Sequence, residues 1–276
     1  MSAVRCSARP DRTLLPTTQR LHPLSTIDLL LEGDLEIVGR LTAASNATFL
    51  CRIAPVADGD PDALPIDVTD PAVFAEQVGA LCVYKPVRGE RPLDDFPDGT
   101  LARREVAAYI VSELSGWHVV PPTVLRDGPF GEGMVQEWIE ADPEVDVVEV
   151  VTRSDERLRS MCLFDALVNN ADRKAGHLLP TADGRILGVD HGICFSADPK
   201  LRTVLWGWRG ESITDNELAV IRSVCDGLDG QLGATLRQLL SAREVRATQR
   251  RAEQLLSEGR FPQPDPFRPA IPWPPF

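Results

Sequence analysis

The stretch that decides the fold of this sequence is a polar loop, Asn169-Asn170-Ala171-Asp172-Arg173-Lys174-Ala175-Gly176-His177, which follows an amphipathic helical pattern. A second segment, Gly188-Val189-Asp190-His191-Gly192, places an aspartate directly after an apolar strand pattern. Both aspartates are therefore predicted at the ends of regular elements, where a rigid scaffold can hold chemically active side chains. A turn or a helix C-cap is the alternative interpretation of Asp172, and a plain turn aspartate is the alternative for Asp190.

Two earlier segments supply complementary charges. Lys85 ends the apolar strand pattern Leu81-Cys82-Val83-Tyr84-Lys85, and Glu105 lies early in a helical pattern that runs from Leu101 to Ser115. Phosphoryl transfer needs a lysine on the nucleotide phosphates, a glutamate that orients the lysine, an aspartate for the attacking hydroxyl, and metal ligands. A solvated strand-end lysine and a glutamate that complements the helix dipole are the alternatives. Because Glu105 shares a helix face with Tyr109, we expect it to point inward.

In this order along the chain, the four segments resemble the kinase-like superfamily. Protein kinases place an asparagine after four residues that follow the catalytic aspartate, and D-F-G comes later. Here His177 stands at the asparagine position, and Asp190-His191-Gly192 stands where D-F-G would. Residues 164–173 look like the helix and loop of the phosphatidylinositol 3-/4-kinase and HipA-like branch, which writes its loop D-R-H-x-x-N. They also resemble an actinobacterial group of proteins that are similar to those lipid kinases.

The resemblance implies an α+β fold, a bilobal protein-kinase-like arrangement with an antiparallel-sheet N-lobe and a helical C-lobe. With the pattern of predicted elements, it divides the chain into four parts. These are a flexible N-terminal arm (1–24), the N-lobe (25–140), the helical C-lobe with the catalytic and metal-binding loops (141–261), and a Pro-rich tail (262–276).

The resemblance also implies a role for each residue of the two polar loops. Asp172 would be the catalytic aspartate, and Lys174 would neutralise the transferring phosphate. Asp190 and His177 would hold the metal. The implied cofactors are ATP with Mg²⁺ or Mn²⁺. Since Mg²⁺ prefers oxygen ligands and imidazole suits transition metals better, His177 in place of asparagine leaves the choice of metal open.

The nucleotide-binding residues that the resemblance implies come from the N-lobe. Lys85 would contact the α- and β-phosphates and pair with Glu105. Ser45 and Asn46 would lie in the loop over the phosphates, which has no G-x-G-x-x-G motif. Gln136 and Glu137 belong to the strand that would lead into the hinge, whose backbone would bind adenine.

We therefore expect an ATP-dependent phosphotransferase that moves the γ-phosphate to a hydroxyl of an unknown protein or small-molecule acceptor. Two alternatives remain open at this level. His177 motivates a nucleotidyltransferase on the same fold. His177 and the Pro-rich tail together motivate a nucleotide-binding pseudokinase or interaction module.

Charge, hydropathy and cysteine content indicate which partners and which cellular compartment to expect. The chain has 276 residues and a formal net charge of −12, which argues against nucleic-acid binding. No apolar run approaches the roughly 18 residues that a transmembrane segment needs, and the N-terminus has no signal-peptide h-region. The six cysteines form no C-x-x-C pair, which indicates buried free thiols in a reducing compartment. We expect a cytoplasmic protein.

Two further segments are distinctive. Trp206-Gly207-Trp208-Arg209-Gly210 fits a substrate-binding loop or a loop packed against the helical half. The proline-rich tail fits a partner ligand or a segment that packs on the domain or hangs free. Between them, residues 214–258 follow a helical pattern almost throughout.

Overall fold

The computed structural model describes residues 25–42, 46–55 and 80–276, so the predicted N-terminal arm and Ser45 lie outside the described residues. The first half is built on a five-stranded antiparallel sheet in the order β1-β2-β3-β5-β4. The strands are β1 (Asp34–Arg40), β2 (Phe49–Ala54), β3 (Ala80–Pro86), β4 (Thr123–Gly128) and β5 (Gly131–Glu137). Helix α1 (Thr26–Glu32) precedes the sheet, and α2 (Leu101–Ser115) follows β3.

The alternation of side chains along β3 determines where Lys85 lies. Cys82 and Tyr84 are fully buried in an apolar core that also contains Leu30 of α1. Successive strand side chains point to opposite faces, so Lys85 lies on the other face, and its partner across the ladder is Met134 of β5. Met134 packs with Val106 of α2 in a separate cluster, so this face of the sheet is the one that carries α2.

The two strands β4 and β5 form with shifted boundaries: β4 begins later than predicted, whereas β5 begins and ends earlier. The sequence predicts strands over 119–125 and 134–139, whereas the structure has Thr123–Gly128 and Gly131–Glu137. Pro121 and Pro122 lack the N–H group that a ladder requires, so pairing begins after them. Val119 and Val120 are instead buried in the core of the helical half.

The second half is mainly helical and carries one short hairpin. Its helices are α3 (Val147–Thr152), α4 (Arg159–Val168), α5 (Asp215–Asp229), α6 (Gln231–Leu236) and α7 (Ala242–Glu258), and the hairpin is β6 (Leu178–Pro180) with β7 (Ile186–Gly188). Helix α3 was not predicted, and the long helical pattern of 214–258 is divided into α5, α6 and α7. Capping boxes of Thr214 with Glu217 and of Ser241 with Glu244 begin α5 and α7.

The predicted fold class is confirmed: the chain is α+β, with an antiparallel sheet followed by a helical half. Glu105 is buried and points inward as predicted. The five cysteines within the described residues are free and buried, also as predicted. Among these residues, none of the helices combines the length and apolar character that crossing a bilayer requires.

Candidate active site

Three charged side chains from separate parts of the chain meet between the two halves. Lys85 Nζ, on β3, donates to Glu105 Oε1 of α2 at 2.8 Å and also contacts Asp190 Oδ1, which follows β7. Only 16% of the Lys85 side chain and 3% of the Glu105 side chain are exposed, whereas 49% of the Asp190 side chain is exposed. Lys85 therefore pairs with one buried carboxylate, that of Glu105, and with one accessible carboxylate, that of Asp190.

Glu105 also fixes the segment that contains Asp190. Its second oxygen, Oε2, accepts the backbone N–H of His191 at 2.8 Å, so one carboxylate joins β3 to the 190–192 segment. Asp190 itself has a left-handed backbone with φ of 61°. Aspartate tolerates this conformation better than most residues, and such positions cluster at functional sites because the surrounding structure must hold them.

The charges in this cluster reinforce one another. Burial disfavours the Lys85 ammonium, but the carboxylates of Asp190 and Glu105 outweigh burial and raise the pKa of Lys85 above its ordinary value. The ammonium of Lys85 in turn holds the pKa of Asp190 well below its usual range. At neutral pH the site therefore presents a charged lysine and an ionised, half-exposed aspartate.

The predicted catalytic loop begins where α4 ends. Asn169 caps α4 in a left-handed conformation with φ of 55°, and the side-chain Oδ1 of Asn170 accepts the backbone N–H of Asp172 at 3.0 Å. Lys174 Nζ lies 3.5 Å from Asp172 Oδ2. Burial raises the pKa of Asp172 although Lys174 and Arg202 act against this shift. A raised pKa brings a carboxylate closer to the range in which it can accept a proton.

His177 lies beside Asp190, the other residue that the resemblance assigns to the metal. Its Nε2 is 3.5 Å from Asp190 Oδ2, and its buried Nδ1 has no hydrogen-bond partner within the described residues. Burial lowers the pKa of His177 to about 4. The ring is therefore neutral at physiological pH, which is the form that can donate a lone pair to a metal.

The donor set fits a metal that a nucleotide also holds, rather than a metal caged by protein. Within residues 25–42, 46–55 and 80–276, no group of three or more His, Cys, Asp or Glu side chains is placed to hold an ion. Asp190 and His177 offer one carboxylate and one imidazole. Mg²⁺ in phosphate-handling sites is typically bound by one or two carboxylates, with phosphates and waters completing its shell.

The structure also contains a buried network that the sequence analysis missed. Arg173 and Asp165 are both fully buried, and the guanidinium contacts both carboxylate oxygens, with Nη2 2.9 Å from Oδ1 and Nε 3.0 Å from Oδ2. Arg173 also donates to the Val189 carbonyl at 2.9 Å and contacts His191 Nε2 at 2.5 Å. This arginine thus connects α4, the loop of Asp172 and the segment of Asp190.

One feature of the sequence could have revealed this network. Asp165 lies within the apolar stretch Met161–Val168 of α4, and a carboxylate on a buried helix face requires a partner. The arginine that follows Asp172 in the sequence, Arg173, is the natural candidate.

The remaining predicted residues lie further out or point elsewhere. Asn46 Oδ1 accepts the backbone N–H of Arg91 at 2.9 Å, which ties the β1–β2 loop to the segment after β3. The Gln136 side chain is buried, and its Nε2 donates to Thr123 Oγ1 at 2.8 Å. The Glu137 side chain is half-buried, and burial raises its pKa. None of these three side chains forms a hydrogen bond with the Lys85 cluster in the described structure.

Four features together define a protein-kinase-like fold. They are the strand order of the sheet, the lysine on β3, its glutamate partner on the helix that follows, and the aspartate after β7.

Comparison with known proteins adds the family. No family model matches the sequence. Protein Rv2133c of Mycobacterium tuberculosis is 41% identical over an alignment 283 residues long, gaps included, and the alignment covers 90% of this chain and 94% of that protein. The chain belongs to the family of Rv2133c.

Three solved structures are similar at low sequence identity. The Golgi casein kinase has 13% identity and a TM-score of 0.48, covering 84% of this chain and 72% of that one. Hydra Fam20, solved with sugar, has 13% identity and a TM-score of 0.43, with coverage of 82% and 85%. The Helicobacter pylori proinflammatory kinase CtkA has 11% identity and a TM-score of 0.48, with coverage of 83% and 94%.

Proposed function

We propose that this protein is an ATP-dependent phosphotransferase that moves a γ-phosphate to an acceptor hydroxyl. The observation that carries the proposal is the meeting of Lys85, Glu105 and Asp190 at one point, with His177 next to Asp190. A phosphoryl-transfer site requires a held lysine, an ionised metal-binding carboxylate and a carboxylate for the acceptor, and Asp172 is the third of these groups.

Each residue has a distinct role in the proposed mechanism. Lys85 binds the nucleotide phosphates, and Glu105 keeps its ammonium in position. Asp172 accepts the hydroxyl proton of the acceptor, and Lys174, 3.5 Å from it, balances charge on the transferring group. Asp190 and His177 would hold Mg²⁺ or Mn²⁺, which supplies charge neutralisation on the phosphates when bound.

The scaffold around these residues contributes positioning. Arg173 bonds both the Asp165 carboxylate and the Val189 carbonyl, so the loop of Asp172 and the segment of Asp190 share one anchor. A fixed separation between an acceptor-binding and a metal-binding carboxylate is what in-line transfer demands. Within kinase-like proteins, we place the chain in the phosphatidylinositol 3-/4-kinase and HipA-like branch on the D-R sequence of residues 172–173, with a soluble rather than a lipid acceptor.

The test combines binding and turnover. Thermal shift with ATP and Mg²⁺, and separately with Mn²⁺, should show a metal-dependent stabilisation of about 2.7 kcal/mol at 100 times Kd. Asp190→Asn should abolish it. Asp183→Asn is the matched control, because Asp183 is an exposed turn residue paired with Arg185. Metal-dependent stabilisation that survives in Asp190→Asn would contradict the proposed site.

Turnover separates the candidate reactions. ATP is labelled either on the α-phosphate or on the γ-phosphate, and the γ-label should appear in the product. Asp172→Asn should lower the rate of γ-phosphate transfer at least 100-fold while nucleotide binding persists. His177 at the metal position keeps nucleotidyl transfer as a second candidate, and α-label on product would select it. Binding without any turnover would select the pseudokinase alternative.

A further inference from the structure

A second candidate site lies on the helical half of the protein, next to the segment formed by residues 197–202. A cavity of about 640 Å³ is bounded by that segment, by α7 and by the start of the proline-rich tail. Its volume falls in the range of about 300–1,000 Å³ that is typical of small-molecule sites. The phosphotransfer mechanism proposed above uses none of the residues that line it.

The wall of the cavity carries five positively charged side chains and three carboxylates. Two of the carboxylates pair with cations of the wall, Asp95 with Lys200 at 2.7 Å and Asp265 with Arg268 at 3.5 Å, and the third, Glu258, accepts a hydrogen bond from the neutral Gln254 Nε2 at 2.7 Å. Its three other guanidinium groups, those of Arg202, Arg250 and Arg251, form no ion pair with any carboxylate of the described residues. In a chain with a net charge of −12, such a cluster is a local exception.

Arg251 is anchored as part of the wall. It donates to the carbonyls of Leu167 and Ser196, at 2.8 and 3.2 Å, and to Thr248 Oγ1 at 2.8 Å. These bonds use three of its five N–H groups. Burial lowers the pKa of Arg251 to about 10, so the guanidinium remains charged at neutral pH although it has no counter-ion among the described residues.

Arg202 connects the cavity to the catalytic loop. Its backbone N–H donates to Asn170 O at 2.9 Å, and its Nε donates to Ala171 O at 2.8 Å. The backbone N–H of Arg173 in turn donates to Arg202 O at 3.0 Å. These three bonds join Arg202 in the cavity wall to the loop that contains Asp172.

We propose that this cavity binds a phosphate-bearing small molecule through Arg202, Arg250 and Arg251. Guanidinium groups match phosphate oxygens in a bidentate geometry. A phosphate monoester carries a charge of about −1.5 to −2 near pH 7. It therefore balances the charge of three unpaired arginines better than a ligand with a single carboxylate would. The inference goes beyond the proposed phosphotransfer, because it depends only on the cavity.

Tryptophan fluorescence can report the site directly. Trp206 lines the cavity, and its Nε1 donates to Ala270 O of the tail at 2.9 Å. Inorganic phosphate, titrated at constant ionic strength without nucleotide, should give a saturable change that is absent in Trp206→Phe. Acetate at the same ionic strength should give none. A signal that survives in Trp206→Phe, or that acetate reproduces, would overturn the proposal.

Two arginine variants on the same helix provide the decisive comparison. Arg250 and Arg246 are both exposed residues of α7, but only Arg250 lines the cavity. Arg250→Gln should raise the Kd for phosphate about tenfold, the usual loss for one charge-assisted contact, and Arg246→Gln should leave it unchanged. Equal effects of the two variants would reduce the site to general electrostatics and overturn the proposal.

A third variant separates this inference from the proposed function. Lys85→Met should retain phosphate binding while it loses the ATP-dependent stabilisation. Phosphate binding that disappears in Lys85→Met would assign the anion to the nucleotide cleft and refute the second site. If ATP fails to bind the unmodified protein while phosphate does, the phosphotransferase proposal fails and the cavity stands.

Discussion

Two ionic clusters lie on either side of the segment 189–192, and they differ in exposure. Lys85, Glu105 and Asp190 form the first, in which the Asp190 side chain is 49% exposed. Asp165 and Arg173 form the second, in which neither side chain is exposed at all. His191 belongs to both, since its backbone N–H bonds Glu105 and its ring contacts Arg173.

The difference in exposure implies a difference in role. The Arg173 guanidinium has Asp165, the Val189 carbonyl and the His191 ring as neighbours, so its contacts are complete without a ligand. Asp190 has an accessible carboxylate next to a neutral imidazole, and a ligand can add contacts there. We therefore expect changes in the buried pair to affect stability first, and changes in the open cluster to affect ligand binding first.

The largest stability effect is expected from Asp165→Ala. Removal of one partner leaves the Arg173 charge buried and uncompensated, which typically costs about 3–5 kcal/mol. Urea unfolding should show a loss of that size in the free energy of unfolding. A loss below about 1 kcal/mol would show that the buried pair does not act as a structural anchor.

A second substitution keeps this prediction testable if Asp165→Ala folds poorly. Adding Arg173→Met removes the uncompensated charge, so the double variant should recover part of the lost stability. No recovery would indicate that the bonds from Arg173 to Val189 and His191, rather than the ion pair with Asp165, hold this region together.

The sequence predicted the open cluster better than the buried one, for a physical reason. Lys85, Glu105, Asp172 and Asp190 each lie within about four residues of an element end that hydrophobic periodicity reveals. The order of such residues along the chain is enough to suggest their chemistry. The partner of a buried charge depends on which loop the tertiary structure brings to it, so the pairing of Asp165 with Arg173 was not predicted.

The same distinction applies to the fold. The strand of Lys85 and helix α2 follow from local pattern, and the structure contains both. The start of β4 was misplaced, because Val119 and Val120 are strand formers that instead fill the core of the helical half. Tertiary packing overrode local propensity there.

Glu105→Gln tests whether a change in the open cluster affects turnover more strongly than stability. Glutamine keeps only one acceptor oxygen, so it can replace one of the two contacts of Glu105, with Lys85 or with the His191 N–H, and Asp190 still pairs with Lys85. The free energy of unfolding should therefore fall by about 1–2 kcal/mol, the cost of one lost hydrogen bond, while ATP-dependent turnover should fall at least tenfold as Lys85 loses its orienting charge.

The matched control for this prediction lies on the same helix. Glu113→Gln changes a partly exposed residue of α2 that pairs with His118, and it should alter neither quantity. If Glu105→Gln lowered the free energy of unfolding as much as Asp165→Ala and left turnover nearly unchanged, Glu105 would be a structural anchor like Asp165.

His177→Asn should change the choice of metal rather than the fold. An amide oxygen suits Mg²⁺ better than imidazole does, so the ratio of Mg²⁺-supported to Mn²⁺-supported turnover should rise several-fold. The measurement is steady-state turnover with each metal at saturation, with His118→Asn, an exposed histidine, as the control. An unchanged ratio would argue that His177 is not a metal ligand.

The smallest effect is expected from a third kind of ion pair, one that lies entirely on the surface. Arg52 and Glu36 pair across β1 and β2 at 3.2 Å, with side-chain exposures of 43% and 72%. Pairs of this kind contribute about 0–1 kcal/mol, because solvent screens the charges and ordering two long side chains costs entropy. Glu36→Ala should therefore change the free energy of urea unfolding by less than about 1 kcal/mol and leave ATP-dependent turnover unchanged. A loss as large as that of Asp165→Ala would mean that the first strand pair is critical to the fold and that exposure does not rank the ionic clusters of this protein.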